Sequence, residues 1–287
     1  MKFKKNIFQC WLQGKEKINK NTFKENAYNW EKLNKDWNYK LVDENDLRDA
    51  CKLFSNECLE TFEKFDLLHL KVDFGRYVLI YLYGGVYVDM DMYILRGFDG
   101  NKEIQEFINM SQDKHILGLS ILHMNRIESL LFCGRKEIIN NAIMFSSQKN
   151  PILRRMIQNI IKNKNVYSNN FEKIQKTTGP LFINNFLENY IDYKHKNYFI
   201  KTFPFYYFEP YTPYGLFDIN DETIAIHKME MSWIPNYIKF FIKLYYNLKN
   251  NYLLFIVISI YVLYNIFYYS KKNKKLLTLA FFETKII

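Results

Sequence analysis

The sequence predicts an α/β fold, and three observations carry that reading. Strand-like and helix-like patterns alternate through the first 54 residues, the order expected of an open α/β sheet. At Gly84-Gly85 the apolar spacing switches from helical to two-residue. Further on, Ile116–Leu122 is an apolar run of the kind that forms a central strand. The chain has 287 residues, 48% of them hydrophobic, enough for one sizeable domain or two small ones. Its net charge of +10 suits nucleic acid, an anionic membrane surface or phosphate-bearing substrates. There is no arginine-rich run and no nucleic-acid-binding motif, so nucleic acid is not expected as a partner.

Taken in order, residues 6–12 (Asn-Ile-Phe-Gln-Cys-Trp-Leu) read as a first buried strand, closed by Gly14. Residues 20–34 form a polar amphipathic helix carrying Trp30, and residues 37–43 alternate as a second strand. Asp43 and Glu44 then open a helix that runs to about Phe54. Leu67, Leu70, Phe74, Val78 and Leu82 recur at helical spacing until the two glycines stop that helix. In the strand that follows, Val86, Val88 and Met90 face one way and Tyr87, Asp89 and Asp91 the other. Met92–Asp99 reads as a strand turning into a loop, and residues 101–114 are polar. Residues 136–147 and 151–164 suit two helices, the second opened by Pro151. Thr177-Thr178-Gly179-Pro180 starts another, with Thr as cap and free N–H groups that suit an anion. Residues 198–208 are aromatic and strand-like and end at Glu209-Pro210, and a short apolar strand precedes His227.

Asp89 and Asp91 place two carboxylates side by side where a buried strand emerges. Such a pair takes up a proton or holds a cation, and a hard divalent ion with oxygen ligands fits, here Mn2+ or Mg2+. Asp73 and Arg76 lie on one face of the preceding helix, where the arginine can pair with the carboxylate and either can reach a ligand. An open sheet binds its ligands at the carboxyl ends of its strands, which is where the Asp pair falls.

Asp73-x-x-Arg76 followed by Leu82-Tyr-Gly-Gly-Val-Tyr-Val-Asp-Met-Asp91 resembles the sugar-nucleotide region of the DXD-containing glycosyltransferases of family 32. That family includes mannosyltransferases of the inositol-phosphoceramide and initiating α-1,6 types, and in this region it is similar to the large clostridial glucosylating toxins. The resemblance implies a GT-A sheet, a nucleotide-sugar donor and transfer with retention. It implies that Asp73 and Arg76 position the donor sugar and that Asp89 and Asp91 hold the metal. Trp11 matches a family tryptophan near the nucleotide base, although Ile7-Phe8 stand where a histidine is common. The stretch Glu137–Met144 resembles one in which an asparagine lies near the donor sugar, a place for Asn140 or Asn141. His227, five residues before Ser232-Trp233, resembles the closing His-x4-Ser-Trp motif. There His227 would supply a third metal contact or touch the diphosphate, and Trp233 would lid the site. Tyr87 and Asp89 complete the expected donor-binding set.

The C-terminal segment is of a different kind. Tyr252–Tyr269 carries no charge and is just long enough to span a bilayer core, and Lys271, Lys272, Lys274 and Lys275 follow at once. The organisation expected is therefore a catalytic domain over 1–236, a juxtamembrane amphipathic segment over 237–251, a transmembrane helix over 252–270 and a basic, apolar tail over 271–287. Cys10, Cys51, Cys58 and Cys133 include no Cys-x-x-Cys pair, so neither a zinc site nor a disulfide framework is expected. The apolar run at the N-terminus is broken by Gln9 and Gln13 and is too short for a signal peptide. The lysines after the span would draw the C-terminus to the cytoplasm, but Lys239, Lys243 and Lys249 pull the other way. With the cysteines and the lack of a signal peptide, they favour a cytosolic catalytic domain held to the membrane by a single-pass tail.

Together these readings predict a metal-dependent hexosyltransferase. It would move a sugar from GDP-mannose or a UDP-sugar to a membrane-associated lipid or glycan acceptor. A non-catalytic membrane protein with a relict sugar-nucleotide-binding fold is the alternative, and the intact Asp73, Arg76, Asp89 and Asp91 argue against it. A metal-dependent hydrolase would need a general base, for which the motif offers no clear partner.

Overall fold

Strand β1 (Asn6–Cys10) is flanked in parallel by β2 (Asn38–Val42) and β3 (Gly85–Val88). This half of the sheet delivers the ends of β1 and β3 to one edge of the molecule. The computed structural model describes residues 3–14, 18, 21–123, 134–163, 165–167, 169–190, 197–210, 219–229, 236–250, 260, 261 and 264. Within them the sheet continues from β3 to β6 (Ile139–Ser146), β5 (His115–Ile121) and β7 (Tyr198–Phe203), in the order β2-β1-β3-β6-β5-β7. The pairs β3·β6 and β5·β6 are antiparallel and β5·β7 is parallel, so the sheet is mixed. A separate two-stranded ladder joins β4 (Met92–Ile94) to β8 (Ala225–His227).

Strand β6 corrects the helix expected over 136–147. It is buried along nearly its whole length, in the middle of the sheet. A strand covered on both faces reads as a continuous apolar run, and periodicity cannot separate that from a buried helix. The consequence is functional. Because β6 runs antiparallel to β3, its first residues, Asn140 and Asn141, arrive beside the last residues of β3. Within the polar stretch 101–114, helix α5 spans Lys102–Asn109 and buries Ile104, Phe107 and Ile108.

Alternate strand residues face two cores. Phe8, Tyr87, Leu117 and Met144 pack with Phe74, Tyr77 and Val78 of helix α4 (Leu68–Tyr83). Ile7, Val86, Val88, Ile116, Ile143 and Phe145 pack with Trp30, Trp37, Phe98, Phe107, Phe203 and Phe208. The first layer anchors α4, whose site residues Asp73 and Arg76 are themselves buried. At its end Gly84 (φ 67°) caps the helix, donating its N–H to Ile80 O at 3.0 Å. Gly85 (φ 114°) starts β3 so close to β1 that a Cβ there would stand 2.4 Å from Asn6 O. Only glycine tolerates both the positive φ and that approach.

The chain forms two compact units, Met1–Ile234 and Pro235–Ile287. In the second, a helix spans Asn236–Asn250 and exposes Phe240, Phe241 and Leu244. Among the described residues no helix is long and apolar enough to cross a membrane. Apart from Ile260, Tyr261 and Tyr264, the span expected over 252–270 lies outside them, as do the tail 271–287 and Cys133.

Candidate active site

The stretch after β3 is held by its own backbone. Asn26 Nδ2 donates to Met90 O (3.0 Å) and Met92 O (2.8 Å), and Trp30 Nε1 also donates to Met92 O (2.8 Å). Both side chains come from helix α1 (Asn21–Leu33). From β1, Gln9 Nε2 donates to Asp89 O at 3.1 Å, and Gln9 is in turn held by the Tyr39 hydroxyl. With four carbonyl contacts fixed, the Asp89-Met90-Asp91 turn projects its two carboxylates in a set geometry.

Arg76 stands at the centre of a buried charge network. Its Nη2 lies 2.8 Å from Asp73 Oδ1 and 3.0 Å from Asp89 Oδ1, and its Nη1 donates to Asn141 O at 2.6 Å. The guanidinium lies 4.4 Å from the centre of the Tyr87 ring, and the Tyr87 hydroxyl donates to Asp89 Oδ1 at 2.9 Å. Asp73 also accepts from Asn141 Nδ2 (3.1 Å) and from Thr178 Oγ1 (3.2 Å). Burial disfavours the Arg76 charge, but Asp89, Tyr87 and Asp73 outweigh that and keep it firmly protonated. Arg76 Nε is buried without a hydrogen-bond partner among the described residues.

His227 completes the site from the other side of the chain. The β4·β8 ladder pairs it with Met92, next to Asp91, and Lys228 N–H donates to Asp91 O at 2.9 Å. His227 Nε2 lies 3.4 Å from Asp91 Oδ1, and Nδ1 lies 2.7 Å from Glu209 Oε2. Ligand atoms of Asp89, Asp91 and His227 all fall within 4.8 Å of one another. Burial raises Asp89 from its ordinary 3.8 to about 6, with Asp91's like charge adding to the rise and Arg76 opposing it. Burial works against charge on His227, yet Glu209 and Asp91 hold its pKa well above the ordinary imidazole range.

Two carboxylates and an imidazole that converge in this way fit a divalent cation. Carboxylate oxygens suit Mg2+ or Mn2+, and the imidazole nitrogen shifts the preference toward Mn2+. The cation would replace a proton on His227 and relieve the repulsion that raises Asp89.

The fold thus brings Asp73, Arg76, Tyr87, Asp89, Asp91 and His227 into one cluster, which Asn140 joins through Glu209. Tyr87 is 1% exposed and its hydroxyl is committed to Asp89. Of the two asparagines considered, Asn141 braces Asp73, and Asn140 donates to Glu209 Oε1 at 2.7 Å. Trp11 follows β1 at the same carboxyl edge, packs 5.5 Å from the Phe23 ring, and keeps a buried Nε1–H without a partner among the described residues. Thr178 ends one helix and spends its hydroxyl on Asp73. Ser232 and Trp233 lie outside the described residues. Sequence reasoning gave no role to Glu209 or Gln9. The available signal for Glu209 was a lone carboxylate closing an otherwise aromatic run, Phe203–Phe208.

Residues 20–112 match the family described as glycosyltransferase sugar-binding region containing DXD motif, a stretch that includes Asp73, Arg76, Asp89 and Asp91. A curated relative, "Uncharacterized glycosyltransferase L373" of Acanthamoeba polyphaga mimivirus, is 36% identical over 87 residues, 30% of this chain and 34% of the relative. The chain therefore spans about a third of the length of the curated relative it matches. Among solved structures, PaToxG glycosyltransferase aligns over 66% of this chain and 70% of its own, with 16% identity and a TM-score of 0.39. The UDP-bound glycosyltransferase domain of the YGT toxin aligns over 69% and 79%, with 11% identity and a TM-score of 0.39.

Proposed function

We propose that the protein is a divalent-metal-dependent glycosyltransferase that takes a hexose from a nucleotide sugar. The observation that carries this reading is the convergence of Asp89, Asp91 and His227 beside the Asp73–Arg76 pair, within and next to the matched sugar-binding region. Asp89, Asp91 and His227 would hold Mn2+ or Mg2+. When bound, the ion supplies positive charge to the diphosphate of the donor as the nucleotide leaves. Asp73 and Arg76 orient the donor sugar. Arg76, locked between Asp73 and Asp89, holds its positive charge fixed beside the site at no cost in reorganisation. Trp11 contributes a half-buried indole ring at the edge where the base would lie. The sugar passes through an oxocarbenium-like state, and the resemblance to family 32 favours retention of configuration.

The finer reading is transfer from GDP-mannose or a UDP-sugar to a lipid or glycan acceptor at a membrane. Support comes from the uncharged stretch Tyr252–Tyr269 with its flanking lysines and from the exposed Phe240 and Phe241. The working organisation is a catalytic domain over 1–236 on the cytosolic side, held by a single span. The test is nucleotide release by the full chain in membranes from a panel of UDP- and GDP-sugars, with and without Mn2+. Metal-dependent turnover of one donor, lost in Asp91→Ala, is expected. Absence of donor binding at any metal concentration would remove the proposal and leave a relict fold.

A further inference from the structure

We infer that Glu209 is a positioning residue for the cation, its buried carboxylate holding the Nδ1–H of His227 so that Nε2 is presented to Asp89 and Asp91. The inference rests on the divalent-cation reading of that cluster.

Glu209 is fully buried, at 0% exposure. A carboxylate can be held there only if donors replace the water it has lost. Three do, each from a different strand. Ser120 Oγ on β5 donates to Oε1 at 3.2 Å, Asn140 Nδ2 on β6 donates to Oε1 at 2.7 Å, and His227 Nδ1 on β8 donates to Oε2 at 2.7 Å. The β5·β6 register shifts between Leu119 and Ser120, and that irregularity sets Ser120 opposite Asn140. Bulges of this kind re-aim side chains at sites, and here both are aimed at one carboxylate.

The direction of the histidine follows from the chemistry of its partner. A carboxylate oxygen only accepts, so the ring nitrogen facing it carries the hydrogen. With Nδ1–H committed to Glu209, Nε2 is the nitrogen that faces Asp91 Oδ1, and it can give a lone pair to a cation held by Asp89 and Asp91. Metal-binding histidines generally donate their second N–H to a carboxylate or carbonyl, which fixes the tautomer and raises the basicity of the ligating nitrogen. Ser120 and Asn140 hold Glu209, Glu209 holds His227, and His227 reaches the cluster. If Glu209 served only to tie β5, β6 and β8 together, its loss would lower stability and leave cation affinity alone.

The experiment measures Mn2+ affinity of the full chain by the electron paramagnetic resonance signal of free Mn2+, with UDP or GDP present. Glu209→Gln keeps the shape and the contacts from Ser120 but removes the charge. It is expected to weaken Mn2+ binding about 10–100-fold. In a His227→Gln background the same change is expected to add nothing, because Glu209 acts through His227. A second readout needs no variant to fold at position 209. Long-range proton–nitrogen spectra of the wild-type Mg2+ form should show His227 protonated on Nδ1, its signal identified by its loss in His227→Gln. Unchanged affinity in Glu209→Gln, or a His227 ring protonated on Nε2 with Mg2+ bound, would overturn the inference while leaving the cation site standing. A wild-type chain that binds no Mn2+ with either nucleotide would overturn both the inference and the proposed function.

Discussion

Two regions build this site, and they do so differently. One is a continuous block, Asp73–Asp91, in which a helix, two glycines and a strand deliver Asp73, Arg76, Tyr87, Asp89 and Asp91 within 19 residues of chain. The other is an arm assembled from afar: Asn140 on β6, Glu209 after a short helix, and His227 on β8. In the block, charge is satisfied locally, with Arg76 bridging two carboxylates of its own segment. In the arm, the contacts join residues from the main sheet, the separate β4·β8 ladder and the end of a short helix. The charges of the block therefore belong to a local motif, whereas the proposed third ligand, His227, and its support belong to the tertiary fold.

The sharpest way to break that comparison is to remove the centre of the block. Arg76→Met would leave the buried Asp73 and the partly buried Asp89 without their cation. We expect a loss of about 3–5 kcal/mol of stability, measured by denaturant unfolding, because an uncompensated buried charge costs that much. If Arg76→Met unfolds at the wild-type midpoint, the block is not held together by its charges.

Asp89→Asn and Asp91→Asn test the ligands themselves. Each should lower nucleotide release by about 10²–10³-fold at a fixed Mn2+ concentration, the usual cost of losing one electrostatic contact to a developing charge. Asp89→Asn removes both contacts that Asp89 makes with Arg76 and should change stability more than Asp91→Asn does. Equal effects on stability would blur the distinction between ligand and brace.

A smaller effect is expected from pH. The Asp89 pKa lies at about 6, above its ordinary 3.8, so the folded state binds this proton more tightly than the unfolded chain does. Folding stability from this group is therefore full below pH 3.8 and declines as pH rises through 6. A cation competes with this proton and with the one on His227, so Mn2+ affinity should fall as pH drops through the whole range from 7 to 5, by roughly tenfold per unit for each proton displaced, and more steeply below about 6. Titration calorimetry in buffers of different ionisation enthalpy would count those protons. A slope that does not steepen below about 6 would show that Asp89 is already ionised, and a flat affinity between pH 5 and 7 would show that no proton leaves His227 either.

The smallest expected change separates the two asparagines. Asn141→Ala removes two contacts from the block, to Asp73 and Tyr77, and should cost about 1–3 kcal/mol of stability by leaving Asp73 under-satisfied. Asn140→Ala should act on the arm, weakening Mn2+ binding more than stability.

The block was legible in the sequence because its signals are local. Helical spacing from Leu67 to Leu82, the two glycines and the alternation after them are each visible within a few residues. The ion pair of Asp73 with Arg76 follows from their three-residue spacing on one helix, and the structure forms it at 2.8 Å. The arm was only partly legible. His227 could be singled out, but its supporting carboxylate could not, because Glu209 is linked to Ser120 and Asn140 by pairings 89 and 69 residues apart. Strand β6 reads as a helix in the sequence for a related reason. A strand buried on both faces loses its alternation, and the order of the sheet, which places it next to β3, is not written in any short window.

The most direct test of the account is anomalous scattering from crystals of the protein grown with Mn2+ and UDP or GDP. The account predicts one anomalous peak among the carboxylates of Asp89 and Asp91 and the Nε2 of His227, with nucleotide phosphate oxygens beside it. Nucleotide bound with no peak there, or a peak away from all three residues, would contradict it.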